Sequence, residues 1–142
     1  MASSAVTPVS SLPVARTAGI LVAAVAAAVA VNAVIAAIAV ALGVPSTYGP
    51  ITAPAYASMT VLGIAAGWVG WRFISRRATD PRRALTIAVP IVLVASFAPD
   101  LLLAVFRFIP GTTVGAVLAL GLMHVATAAI AVPAYVLATR SR

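Results

Sequence analysis

The chain has 142 residues, of which 63% are hydrophobic and only 8% are charged. Soluble domains carry about 25% charged residues, and a chain of this length leaves too much surface exposed to hide so many apolar side chains from water. The composition therefore excludes a water-soluble globular domain, and the absence of cysteine excludes disulfides and thiolate chemistry.

All nine basic residues are arginine, against two carboxylates, and the net charge is +7. Nucleic acid is not an expected partner, because the arginines lie at the ends of apolar segments and form no long run or basic face. That placement is typical of membrane anchors and orientation signals. We therefore expect the lipid bilayer to be the principal partner.

The N-terminal part of the chain divides into a tail and an apolar segment. Residues 1–16 are rich in Ser, Pro and Ala, with a single charge at Arg16, which is typical of a flexible tail. Residues 17–42 are uncharged and long enough to span a bilayer with some tilt. The sequence Ala39-Val-Ala41 resembles a signal-peptidase site, but the apolar segment is much longer than the usual signal-peptide core of about 7–15 residues. We expect this span to be retained.

A turn-rich connection, residues 43–54, leads to the second span, residues 55–74. Tyr56 lies near one end of this span, and Trp68 and Trp71 lie near the other. Aromatic side chains at both ends suit the two membrane interfaces.

The next connection, residues 75–83, is short and very basic. Asp80 followed by Pro81 is typical of a helix start, with an N-cap carboxylate and a proline in the first turn. The remaining segments are the third span, the fourth span and a short cytoplasmic C-terminal tail: residues 84–106, 114–138 and 139–142. The sequence thus predicts an all-α integral membrane protein, an up-and-down bundle of four transmembrane helices.

The arginines predict the orientation of the bundle. Eight of them fall on the side of the membrane that holds both termini, and only Arg107 falls on the other side. Basic residues in short loops mark the cytoplasmic side, so both termini are predicted to be cytoplasmic. Five arginines anchor the connection between the second and third spans: Arg72, Arg76, Arg77, Arg82 and Arg83.

Each span brings a polar residue towards one layer of the membrane. With a rise of 1.5 Å per residue, Asn32, Ser96 and His124 each lie about 15 Å from the side opposite the termini. Asp100 and Thr60 lie about 9 Å from it. These five residues form the candidate site.

The candidate site has a functional and a structural interpretation. In the first, Asp100 and His124 are a titrating pair supported by the other three residues, because carboxylates within the membrane usually serve ion or proton pathways. In the second, Asp100 is hydrated near the interface or caps the half-helix after Pro99, and His124 is a neutral imidazole bonded to a neighbouring helix. Asn32 then only holds helices together. Asp100 is expected to face the bundle interior as a neutral acid, or paired with His124 or Arg107.

Small residues predict where helices meet. Ala24, Ala28, Asn32 and Ala36 form a stripe along the first span. A second face on the second span carries three glycines that allow close helix packing, within the bundle or between copies: Gly63, Gly67 and Gly70.

The sequence contains no phosphate loop, no nucleophile elbow and no metal-ligand cluster. One histidine and one intramembrane carboxylate are too few for a structural zinc site. We therefore expect no catalytic residue, no metal, no cofactor and no enzymatic activity.

Ser-Phe-Ala-Pro-Asp at residues 96–100, Leu-Met-His at 122–124, Pro133 and Asn32 carry a resemblance. With these motifs, residues 17–138 resemble a family of small four-helix actinobacterial integral membrane proteins of unknown function. The resemblance implies a four-helix bundle in a bacterial inner membrane and supplies no activity.

Three functions remain open. The favoured one is a small transport or permeation component, as a homo-oligomer or alone, with Asp100 and His124 as its ion- or proton-sensitive site. The second is a structural or accessory subunit of a membrane complex, whose polar residues fix helix register. A membrane enzyme acting on lipid or quinone is the least favoured.

Overall fold

The computed structural model describes residues 12–140, and these residues form helices joined by short connections. The helices are α1 (Leu12–Ala41), α2 (Ala53–Arg77), α3 (Pro81–Ser96), α4 (Ala98–Phe106) and α5 (Val114–Arg140), with one 3-10 turn at Gly49–Ile51. No strand occurs between residues 12 and 140. The predicted all-α fold with four membrane-spanning segments is confirmed.

Parts of the two predicted tails fall outside this range. Residues 1–11 and 141–142 are not among the described residues. Helix α1 begins at Leu12, five residues before the predicted start of the first span. Helix α1 is able to begin there because Pro13 lies in its first turn, where the missing N–H would have no partner within the helix.

Four helical segments are long and apolar enough to cross a membrane, and α3 with α4 forms the third of them: Val14–Ala41, Ala53–Arg77, Pro81–Phe106 and Val114–Arg140. Large apolar side chains on all four lie on the outside of the bundle, among them Val22, Leu62, Val92 and Leu118. Such a surface requires lipid as its solvent. The protein is therefore a multi-pass membrane protein.

Helices α1 and α5 form the most extensive contact of the bundle. The stripe predicted on α1 is buried, and Ala28 is fully enclosed. On α5 the buried residues include Ala116, Ala119 and Ala131. Small side chains on both helices allow the backbones to approach closely, which is how helices pack where lipid removes the hydrophobic driving force.

The third span is broken at Phe97, between α3 and α4. Pro99 has no N–H, and its ring excludes the carbonyl of Ala95, so the hydrogen-bond ladder cannot continue through this point. It restarts where the N–H of Leu101 donates to the carbonyl of Phe97 at 2.9 Å. The two sides of the break differ in burial, since α3 buries none of its side chains whereas α4 buries Asp100 and Leu103.

An apolar cluster closes the end of the bundle formed by the connections 42–52 and 107–113, which we call the loop end. Tyr48 is its centre and is only 1% exposed. Val44, Ile51 and Leu103 belong to the same cluster. The turn-rich connection between the first two spans thus contributes core residues.

A second apolar cluster closes the opposite end, which we call the arginine end. Its centre is Tyr135 of α5, whose hydroxyl donates to the carbonyl of Ile64 at 2.7 Å. The rings of Trp68 and Trp71 lie 5.7 and 5.6 Å from the Tyr135 ring. Tyr135 reaches α2 only because Gly67 has no side chain, since a Cβ there would lie 2.5 Å from the tyrosine hydroxyl.

The other two glycines of the predicted packing face differ from Gly67. A Cβ at Gly63 or Gly70 would have no neighbour within 4 Å. Within the described chain these two positions make no close helix contact.

We expect Gly67→Ala to destabilise the bundle by about 1–3 kcal/mol, because the added methyl group displaces the buried Tyr135 ring and leaves its hydroxyl without the Ile64 carbonyl as acceptor. The measurement is reversible unfolding in mixed detergent micelles. Gly63→Ala is the matched control and is expected to leave stability unchanged or to raise it by up to about 1 kcal/mol. Equal effects of the two substitutions would contradict the Tyr135–Gly67 contact.

Candidate functional site

The intramembrane polar residues lie in two groups. Asn32 contacts Thr60 and Thr127, whereas Asp100 contacts His124. Within residues 12–140 no hydrogen bond joins one group to the other. Ser96 belongs to neither group, because its hydroxyl donates to the carbonyl of Leu93 in its own helix at 2.6 Å.

The first group, which we call the amide triad, joins three spans through Asn32, Thr60 and Thr127. The Nδ2 atom of Asn32 donates to Thr60 Oγ1 at 2.9 Å and to Thr127 Oγ1 at 3.2 Å. Thr60 in turn donates to the carbonyl of Tyr56 at 2.7 Å. Asn32 is 2% exposed, and its Oδ1 atom has no hydrogen-bond partner in the described part of the chain. The triad fixes the relative depth of α1, α2 and α5.

Thr127 was not identified from the sequence. It lies one turn beyond His124 on α5 and is a hydroxyl residue in an apolar span. Threonine in a membrane helix commonly bonds to its own backbone, so the residue type alone does not indicate a partner on another helix. The only sign of this contact in the sequence is the depth of Thr127 in the membrane relative to that of Asn32.

The second group is an acid–base pair on two spans. Asp100 Oδ2 lies 3.2 Å from His124 Nδ1. The same Nδ1 lies 2.9 Å from the carbonyl oxygen of Leu120. Because a carbonyl oxygen can only accept, Nδ1 is assigned the hydrogen and donates it to Leu120, which leaves Nε2 as the basic nitrogen of the neutral ring. Asp100 Oδ2 is then close to the imidazole without an aligned hydrogen bond.

The two members of the pair differ in exposure. The side chain of Asp100 is 8% exposed, and that of His124 is 36% exposed. The carboxyl group is therefore enclosed by protein, whereas the imidazole reaches the surface of the bundle. Such a pair is able to take up or release a proton through the histidine and to change the charge beside the buried carboxyl group.

The break in the third span positions this pair. Asp100 lies in the first turn of α4, where the positive end of the helix dipole favours a negative charge. The N-cap of α4 is Phe97, and no side-chain cap hydrogen bond is present there. The Phe97 ring lies edge-on to His124, with ring centroids 5.9 Å apart. Phe97 therefore helps to orient the imidazole, a role not identified from the sequence.

Arg107 does not lie within ion-pair distance of Asp100; among the described residues only His124 does. Arg107 instead ends α4 in the left-handed conformation, with φ 47°, and its side chain is exposed. Of the two partners predicted for Asp100, the structure therefore brings only the histidine to it.

Residues 12–140 contain no group of three or more His, Cys, Asp or Glu side chains that could hold a metal ion. The groups at this site that could bind a proton or a cation are one carboxyl group, one imidazole and the backbone carbonyl of Leu120. The chemistry that this set supports is the binding and release of a proton or a small cation.

Comparison with known proteins assigns the chain to a family. The model of DUF6069, a family of unknown function, matches residues 11–141, so the chain belongs to this family. The resemblance to a family of unknown function is thereby confirmed. No curated protein and no solved structure matches the chain.

We expect Asn32→Ala to destabilise the bundle by about 0.6–1.7 kcal/mol, which are the average and the maximum measured for hydrogen bonds between membrane helices. The matched control is Ser96→Ala, which removes a hydroxyl bonded only within its own helix and should change stability by less than about 0.5 kcal/mol. Unfolding in mixed micelles measures both. A smaller effect for Asn32→Ala than for Ser96→Ala would show that the amide triad does not hold the spans together.

Proposed function

We propose that this member of the DUF6069 family is a small proton-responsive transport or permeation component, in which Asp100 and His124 form the titrating site. The observation that carries the proposal is the 3.2 Å contact between a buried carboxyl group and a partly exposed imidazole on two different spans. A charged carboxylate in the middle of a span costs about 2.5–3.5 kcal/mol on insertion scales, so such residues usually mark ion or proton pathways.

The proposed proton chemistry uses only these two residues. With Asp100 protonated and His124 neutral, the pair has no net charge. Uptake of a proton at Nε2 gives an imidazolium, whose Nδ1–H is already next to Asp100 Oδ2 and favours the carboxylate form. Release of the carboxyl proton then returns the pair to zero net charge. The starting state is restored when the imidazolium passes its Nδ1 proton to Asp100 Oδ2 and the remaining ring proton shifts from Nε2 to Nδ1. Each cycle then takes up one proton at the histidine and releases one from the carboxyl group.

The conformational change in this proposal is a movement of α4 relative to α3 at the Phe97 break. The bundle as described is closed at the loop end by the Tyr48 cluster and at the arginine end by the Tyr135 cluster. A path along the bundle axis therefore requires displacement of these clusters. The exposed side of His124 lies at the surface of the bundle, outside both clusters.

The proposed orientation has the arginine end in the cytoplasm, both termini on that side, and the protein in the inner (plasma) membrane. The distribution of eight arginines against one supports it. The protein is also proposed not to be an enzyme, because the candidate site offers an acid and a base without a thiol or a metal cluster.

A second candidate function is an accessory subunit of a membrane complex. The specific observation in its favour is the open surface at Gly63 and Gly70 of α2, where another helix, from a second copy or a partner subunit, is able to approach closely. On this alternative the polar residues only fix helix register. It predicts no flux through the isolated protein.

The test is proton flux into liposomes that contain the purified protein and a trapped pH-sensitive dye. We expect the wild type to conduct protons, and we expect Asp100→Asn and His124→Ala each to reduce the flux to the rate of protein-free vesicles, because each removes one member of the proton-binding pair. Ser96→Ala is the matched control on the same span and should keep the wild-type flux.

Thermal unfolding of each variant must first show that the folded protein is present. A wild-type flux equal to that of empty vesicles would reject the transport function and favour the accessory subunit. Proton flux that persists in both variants would show that the pathway does not use Asp100 and His124.

A further inference from the structure

Four arginines cluster where α2 ends and α3 begins: Arg76, Arg77, Arg82 and Arg83. All four are exposed. We call them the hairpin arginines. They lie within eight positions of the chain, at the point where two membrane-spanning helices leave the apolar layer.

The chain itself offers almost no negative charge to this cluster. It contains two carboxylate side chains. Asp100 is buried in the bundle beside His124. Asp80 caps α3 by accepting the backbone N–H of Arg83 at 3.1 Å, as its position before Pro81 predicts. Within residues 12–140 no guanidinium of the four lies within ion-pair distance of a carboxylate. No ion pair within residues 12–140 therefore neutralises these four charges.

The surface next to these arginines is apolar. Phe73, one turn before Arg77, is 62% exposed, and the Arg77 guanidinium lies 5.7 Å from the centre of its ring. Ile87, one turn after Arg83, is 53% exposed. Guanidinium groups therefore stand at the end of a lipid-facing apolar surface on both helices. A ligand that matches this surface has an anionic head and a long apolar tail.

We propose that the α2–α3 hairpin binds the phosphate headgroup of an anionic phospholipid, with its acyl chains along the surface that carries Phe73 and Ile87. Arginine forms bidentate hydrogen bonds with phosphate oxygens. Basic residues next to a membrane span attract anionic lipids. Nucleic acid and free phosphate use the guanidinium groups but leave the apolar surface without a role. This site is independent of the function proposed for Asp100 and His124.

The test measures lipid binding to the full chain in detergent micelles by native mass spectrometry, with dioleoyl-phosphatidylglycerol and dioleoyl-phosphatidylcholine as probes. We expect the wild type to bind the phosphatidylglycerol at least about tenfold more tightly, a ratio that requires only about 1.4 kcal/mol. The variant R76Q/R77Q/R82Q/R83Q should lose this preference. The matched control R16Q/R107Q/R140Q/R142Q removes the same charge elsewhere and should keep it.

Three results would overturn the site. The first is an equal loss of the phosphatidylglycerol preference in the matched control, which would show that the preference depends only on the overall charge of the protein. The second is a wild type without any preference between the two lipids. The third is displacement of phosphatidylglycerol by millimolar inorganic phosphate, which would assign the arginines to a free anion. If the quadruple variant does not fold, R76Q/R77Q and R82Q/R83Q replace it, and each is expected to weaken the preference.

Discussion

The structure depends on one constraint, which is that the apolar layer of a membrane offers no water to satisfy polar groups. Each polar side chain inside the bundle is consequently matched to a partner in the protein. Asn32 uses two hydroxyls on other helices, Ser96 uses its own backbone, and Tyr135 crosses to the carbonyl of Ile64. Three buried polar atoms nonetheless lack a hydrogen-bond partner among the described residues: Asn32 Oδ1, Trp71 Nε1 and Asp100 Oδ2. An unsatisfied buried carboxyl oxygen is costly, and Asp100 is the ionisable residue of the three, with an imidazole beside it.

The same constraint explains how the bundle holds together. Apolar burial provides little drive for association in lipid, so the helices associate through close contact of small residues. Ala28 on α1 and the glycine beneath Tyr135 on α2 allow that contact. Helix α3 lacks it and buries no side chain, whereas α4 returns to the bundle after the Phe97 break. The break therefore separates a lipid-facing half of the third span from a half that carries Asp100.

The sequence predicts the parts of this structure that follow from one-dimensional patterns. Hydropathy and length predict the four spans, Asp80 before Pro81 predicts the start of α3, and Pro99 predicts the distortion of the third span. The rotation of each helix about its axis is not predictable in this way, because α1 and α5 are apolar on nearly all sides. The contact of Asn32 with Thr127 depends on that rotation. So does the burial of Tyr48, whose turn-rich segment gives no sign of a core residue.

Helix α3 connects the two proposed sites. Two of the hairpin arginines, Arg82 and Arg83, lie in its first turn, and the Asp100–His124 pair lies just beyond its last turn. Because α3 buries no side chain, a shift along its axis does not open the core. Such a shift is opposed mainly by its contacts with α2, by the headgroup proposed at the arginines and by the geometry at the Phe97 break. The third span therefore joins the two proposed sites physically, one at the start of α3 and the other just beyond the break that ends it.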